Sequence, residues 1–176
     1  MAKAFRMRQD TEDWFSKINK RELGIKTKFD LYYLCLMMGF ASGRSSNPSK
    51  QCSDCTDFVD EFVQDYKPQQ NLIIGLLIRA VLIDFGVSLD NKIDTKEIIT
   101  ELIDPNSITN LTNYGMESMN AYSSGGYDYL TENFDSKPYH LEEFLISYVQ
   151  LLRQAVDQNP TWNSNLELQN LINLEE

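Results

Sequence analysis

The sequence predicts an all-α protein, a compact single-domain bundle of about six to eight helices spanning residues 1–176. Three observations lead there. Every long apolar segment repeats at the helical period. No Asn-Gly or Asp-Gly turn joins two alternating runs, which leaves room for no more than a small β element. The 176 residues, 42% apolar and 24% charged, are enough for one core that needs neither disulfides nor metal.

The elements follow in order. Residues 11–23 are expected to form a short amphipathic helix. Thr11 serves as N-cap, Glu12 and Asp13 sit in the first turn, Trp14, Phe15, Ile18 and Leu23 fall near one face, and Gly24 ends it. Residues 27–42 form the clearest segment. Thr27 caps it with Asp30 reaching back as in a capping box, and Phe29 to Phe40 are apolar almost all round. Such a helix belongs inside a core or at a subunit contact, which leaves a homo-oligomer open. Residues 43–54, rich in Ser, Asn and Pro, read as a loop. Thr56–Val63 reads as a short helix, on the four-residue spacing of Phe58 with Phe62 and Val59 with Val63. Pro68 starts the next helix, and Leu72–Val87 is a second strongly apolar one, preferred to a buried strand for its length. Another short helix begins at Asp94 and ends before Pro105. Residues 106–134 read as two short helices broken at Ser123-Ser124-Gly125-Gly126. Residues 141–157 carry Leu141, Phe144, Leu145, Tyr148, Leu151, Leu152 and Val156 on one stripe, and Asn159-Pro160 stops them. The tail, 159–176, has only a weak pattern in Leu166, Leu168, Leu171, Ile172 and Leu174.

The net charge of −10 is unevenly placed: residues 1–50 carry +5 and residues 51–176 carry −15. Either the basic end meets a polyanion or an acidic partner, or it packs against the acidic remainder. The candidate contacts are Arg6, Arg8, Lys17, Lys20, Arg21, Lys26, Lys28 and Arg44. A duplex binder is usually basic as a whole, so a DNA contact here is expected to be weak or assisted by a partner. The N-terminus turns polar before any apolar run, and the stretch Leu72 to Phe85 is interrupted by Arg79 and Asp84. It is also shorter than the ~20 residues of a membrane span. Three cysteines, an odd number, do not read as a disulfide framework, and the expected compartment is a reducing cytoplasm.

Nothing in the sequence forms a complete catalytic, cofactor or metal site. Cys52-Ser-Asp-Cys55 has the spacing of a zinc-gripping or redox pair, but only Cys35 and His140 remain as further soft ligands. His140, the single histidine, follows Pro138-Tyr139 at a helix start, a place for capping rather than for a triad. Gly39 with Gly43, and Gly125-Gly126, lack the Lys-Ser/Thr and the preceding strand of a phosphate loop. Asp57, Asp60, Glu61 and Asp65 are expected along one helix face, where carboxylates ordinarily meet water.

Two stretches carry a resemblance. The first runs through Arg6-Met-Arg-Gln-Asp-Thr-Glu-Asp, Leu23-Gly-Ile-Lys-Thr-Lys-Phe-Asp and Met38-Gly-Phe-Ala-Ser-Gly-Arg44. The second is Met119-Asn-Ala-Tyr122-Ser-Ser-Gly-Gly126-Tyr-Asp-Tyr-Leu130. Together they cover less than half of the 176 residues, and they resemble the small accessory proteins of DNA phosphorothioation (Dnd-type) systems. The resemblance implies a non-enzymatic accessory subunit of prokaryotic DNA modification or antiviral defence, binding a protein partner, and it transfers no active site. Two other classes stay open: an acidic regulator that mimics DNA, and a small enzyme using Cys52 and Cys55.

Overall fold

The computed structural model describes residues 3–19, 24–48 and 55–159. In chain order they form β1 (Phe5–Arg8), α1 (Gln9–Phe15), α2 (Lys28–Ser42), β2 (Cys55–Val59), a 3-10 turn (Lys67–Gln69), α3 (Gln70–Asp84), α4 (Lys92–Leu102), α5 (Asn113–Asn133) and α6 (Leu141–Gln158). The protein is predominantly helical, with six α-helices and a single two-stranded sheet among the described residues. The tail beyond Asn159 and residues 49–54 of the expected loop lie outside them.

The architecture turns on the crossing of α2 and α5, the most extensive contact between elements. A Cβ on Gly39 would collide with the Tyr122 carbonyl, one on Gly126 with the Cys35 carbonyl, and one on Gly125 with the Arg44 carbonyl. Only glycine lets two helix backbones approach that closely. These residues therefore do not break a helix: α5 runs unbroken through Ser123-Ser124-Gly125-Gly126, and the expected pair of short helices is one helix of 21 residues. Thr112 caps it, its Oγ1 accepting from the Gly115 N–H at 3.0 Å.

α2 has the start and stop read from its residues. The Asp30 carboxylate accepts from the backbone N–H groups of Lys26 and Thr27 at 2.8 and 2.7 Å. Gly43, in the left-handed region at φ +67°, ends the helix, its N–H and that of Arg44 bonding the carbonyls of Phe40 and Gly39. α3 and α6 also stand where expected, with α6 packed on α2.

Two elements differ. The first helix begins at Gln9, not Thr11, because Arg8 closes an extended strand and itself occupies the cap position. It ends at Phe15, where the N–H groups of Ile18 and Asn19 both turn onto the Phe15 carbonyl. The segment expected as helix Thr56–Val63 instead begins with strand β2. It pairs antiparallel with β1, matching Phe5 to Val59, Arg6 to Asp57, Met7 to Thr56 and Arg8 to Cys55. Over so few residues, pairing with a strand fifty positions away outweighs local helical spacing. The sheet buries Phe5 edge-on against Phe29 and Phe62, each at 5.0 Å between ring centres, and Tyr32 at 5.4 Å. A second aromatic group, Trp14, Phe15, Phe134 and Phe144, joins α1 to the start of α6.

Candidate functional site

Arg8 stands where β1 becomes α1, and the residue is 6% exposed. Nε and Nη2 donate to the two Asp10 oxygens at 2.9 and 2.5 Å, while Nη1 donates to Asp128 at 2.7 Å and Ser124 Oγ at 3.3 Å. The guanidinium carbon lies 4.8 Å from the centre of the Tyr127 ring. Ser46, after α2, donates to the other Asp128 oxygen at 2.8 Å. Burial works against the charge, but the hydrogen bonds to Asp10 and Asp128 outweigh it, and the Arg8 pKa is raised. Arg8 thus ties β1, α1 and α5 together from inside and has no surface to offer a phosphate.

Four of the other candidate cations, Arg6, Lys26, Lys28 and Arg44, face carboxylates of the same chain. Arg6 Nε meets Asp57 at 2.7 Å, Lys28 meets Glu12 at 2.7 Å, and Lys26 meets Asp65 at 3.4 Å. Arg44 holds Glu132 with two hydrogen bonds of 2.6 and 2.8 Å, which keep the Glu132 carboxyl below the usual range. Lys17 stands 5.9 Å from the Tyr139 ring centre; Lys20 and Arg21 lie outside the described residues. The acids expected on one helix face are dispersed: Asp57 sits in β2, Asp65 faces Lys26, and Glu61 pairs with Lys67 at 2.9 Å.

The Cys55 thiol donates to the Pro48 carbonyl at 3.1 Å, and Cys52 lies outside the described residues. Cys35 is fully buried in α2, and burial pushes its thiol well up, against the pull of the Arg8 charge. An exposed His140 occupies the cap position of α6. Among the described residues no three His, Cys, Asp or Glu side chains gather to hold a metal ion, and no helix is long and apolar enough to cross a membrane.

Two of the cavities among the described residues bear on binding. A cleft of about 580 Å3 lies between β1 and α5, where the ion pairs Lys3–Glu117 and Arg6–Asp57 balance their own charges. An apolar groove of about 350 Å3 runs over α2. Tyr33, Met37 and Phe40 form its floor, Leu76 of α3 one wall, and Leu152 and Val156 of α6 the other. The Tyr148 hydroxyl donates to the Leu34 carbonyl at 2.8 Å and fixes α6 against this floor.

No family model, curated protein or solved structure matches the chain.

The groove was not apparent from the sequence, though part of its signal was present. α6 carries two apolar stripes, not one. Phe144, Tyr148, Leu151 and Ala155 are buried, while Leu145, Val149, Leu152 and Val156 repeat the same spacing one residue later and remain exposed or half-buried. On α3, Leu72, Gly75, Leu76 and Arg79 form a second outward stripe at helical spacing.

Proposed function

We propose that this chain is a non-enzymatic, cytoplasmic interaction subunit of a prokaryotic DNA-modification or anti-phage defence system. It binds a protein partner and contributes only weakly to DNA contact. The observation that carries the reading is apolar surface on an acidic chain: Leu72, Phe85, Ile93 and Ile146 are 64%, 61%, 79% and 58% exposed. Apolar groups left in water at this extent suit a protein surface better than a polyanion. The pairing of Arg6, Arg8, Lys26, Lys28 and Arg44 with internal carboxylates supports the secondary place of DNA, since a phosphate must displace those partners. The DNA-modification setting comes from the resemblance of the two stretches to Dnd-type accessory proteins. Both stretches pass through the α2–α5 crossing, so what they would share with that family is a packing pattern. A second reading, an acidic regulator that mimics DNA, draws on the net −15 of residues 51–176.

Co-expression with the products of neighbouring genes, and titration of the isolated chain onto duplex DNA, test the reading. The expected result is a stable complex with one of those products and no saturable DNA binding at about 0.15 M salt. Tight DNA binding by the isolated chain, with a salt slope of about −3 or steeper, would overturn it. Competition between this chain and DNA for the same partner would favour the mimic.

A further inference from the structure

We infer that the pocket between the end of α3 and the first half of α5 binds an alkylammonium group, the chemistry shared by a free amine and a lysine side chain. The inference goes beyond the protein-binding reading and does not depend on it.

The pocket is built by three segments. Asp84 and Phe85 come from the end of α3, Tyr114, Ser118 and Tyr122 from α5, and Ser45 from the chain that follows α2. The N–H of Ser46 donates to the Ala121 carbonyl at 2.9 Å, which holds that last segment along α5. The volume is about 260 Å3. It is below the ~300–1,000 Å3 of sites for drug-sized molecules, so it suits one functional group.

The charge of the pocket is single and negative. Asp84 is the one charged side chain in its lining, which contains no Lys, Arg or His. Among the described residues Asp84 accepts the Tyr122 hydroxyl and forms no ion pair. The cations of neighbouring stretches are paired elsewhere: Lys3 and Arg6 with Glu117 and Asp57 in the adjoining cleft, and Arg44 with Glu132. Asp84 also closes a helix of 15 residues whose last turn has no basic side chain. A carboxylate there meets the negative pole of its own helix, an unfavourable placement that a bound cation relieves.

The rings of the lining favour the same ligand. Phe85 and Tyr114 are 61% and 41% exposed, and among the described residues neither ring has an aromatic or cationic partner. The cation–π contacts of the chain lie elsewhere, Arg8 on Tyr127 and Lys17 on Tyr139. An ammonium beside Asp84 gains from the carboxylate and from these rings together. Ser45 and Ser118 supply hydroxyl oxygens that accept N–H groups. An anion finds no positive partner in this lining.

NMR titration of the full chain with n-butylammonium, and with 1-butanol as its neutral counterpart, tests the inference. The amine should shift the Phe85 amide and Tyr114 ring signals with a Kd of about 1–10 mM. The alcohol should bind at least about tenfold more weakly. Asp84→Asn keeps an oxygen for the Tyr122 hydroxyl, and at an unchanged urea midpoint it should weaken the amine at least about tenfold. Phe85→Ala, at an exposed position, should weaken it about threefold and decides the case if Asp84→Asn does not fold. Asp90→Asn, outside the pocket, should leave the affinity as it is. A glycine peptide with one central lysine distinguishes the sources. Binding at least about tenfold tighter than n-butylammonium supports the inference with a protein lysine as ligand, and equal affinity supports it with a free amine. Equal binding of 1-butanol, or no shift at about 100 mM amine, would overturn the inference. So would parental affinity in folded Asp84→Asn or in Phe85→Ala. An equal loss in Asp90→Asn would overturn it too, because the amine would then follow only the overall negative charge.

Discussion

Glycine has two opposite meanings in this chain, and a single methyl group separates them. At Gly126 the added carbon meets the Cys35 carbonyl, so Gly126→Ala forces α2 and α5 apart. Overpacking at a crossing this tight is expected to cost about 3 kcal/mol. At Gly75 the methyl enters open space and gains helix propensity, so Gly75→Ala should stabilise the fold by about 0.5–1 kcal/mol. Urea unfolding of the two variants checks both signs, and a Gly126→Ala protein as stable as the parent would refute the close crossing. The local sequence does not separate the two meanings. Gly125-Gly126 reads as a break when only its neighbours are considered, because what makes those glycines necessary is a helix some ninety positions earlier.

Elements were legible where local chemistry decides them and obscure where a distant partner does. α2 announces itself through Thr27, Asp30 and Gly43, which act on their own backbone neighbours. β1 and β2 carry no such marks. Phe5–Arg8 is too short to show a period, and the spacing of Phe58 with Phe62 fits a helix as well as a strand followed by a turn. The groove is a similar case, since its walls belong to three helices that meet only in the folded state. α2 also offers the sharpest test of its own packing. Met38 is fully buried, whereas Leu34, half-buried, lines the groove. Met38→Asp should therefore cost more than about 4 kcal/mol and Leu34→Asp about 1–2 kcal/mol. Similar melting temperatures for the two variants would mean that the buried and groove-facing sides of α2 are misassigned.

For the molecule as a whole, the buried tyrosines set an alkaline limit. Burial raises the hydroxyls of Tyr32 and Tyr148 well above the ordinary value near 10. Tyr32 donates to Asn120 Oδ1 at 2.9 Å and Tyr148 to the Leu34 carbonyl, bonds that exist only while the hydroxyl keeps its proton. Because the folded pKa lies above the unfolded one, this contribution is fully present below pH 10 and fades as pH rises beyond it, where the unfolded chain ionises first. Each tyrosine then removes up to about 1.4 kcal/mol per pH unit. The urea midpoint should be level through neutral pH and fall steeply above pH 10, less steeply in Tyr148→Phe; a level midpoint far above pH 10 would contradict the burial of these hydroxyls.

The first strand is held by residues made long after it. The Arg6 N–H donates to Asn120 Oδ1, the Asn120 amide donates to the Ala4 carbonyl, and Arg8 reaches Asp128, contacts that span 114 to 120 positions. On a ribosome adding about 5–20 residues per second, Phe5 and Met7 emerge on the order of 10 s before α5 exists to cover them. β2 is made about midway through that interval, and until α5 follows, β1 lacks the helix that holds it and presents apolar side chains to chaperones and to other nascent chains. The segment synthesised first is among the last to be locked in place.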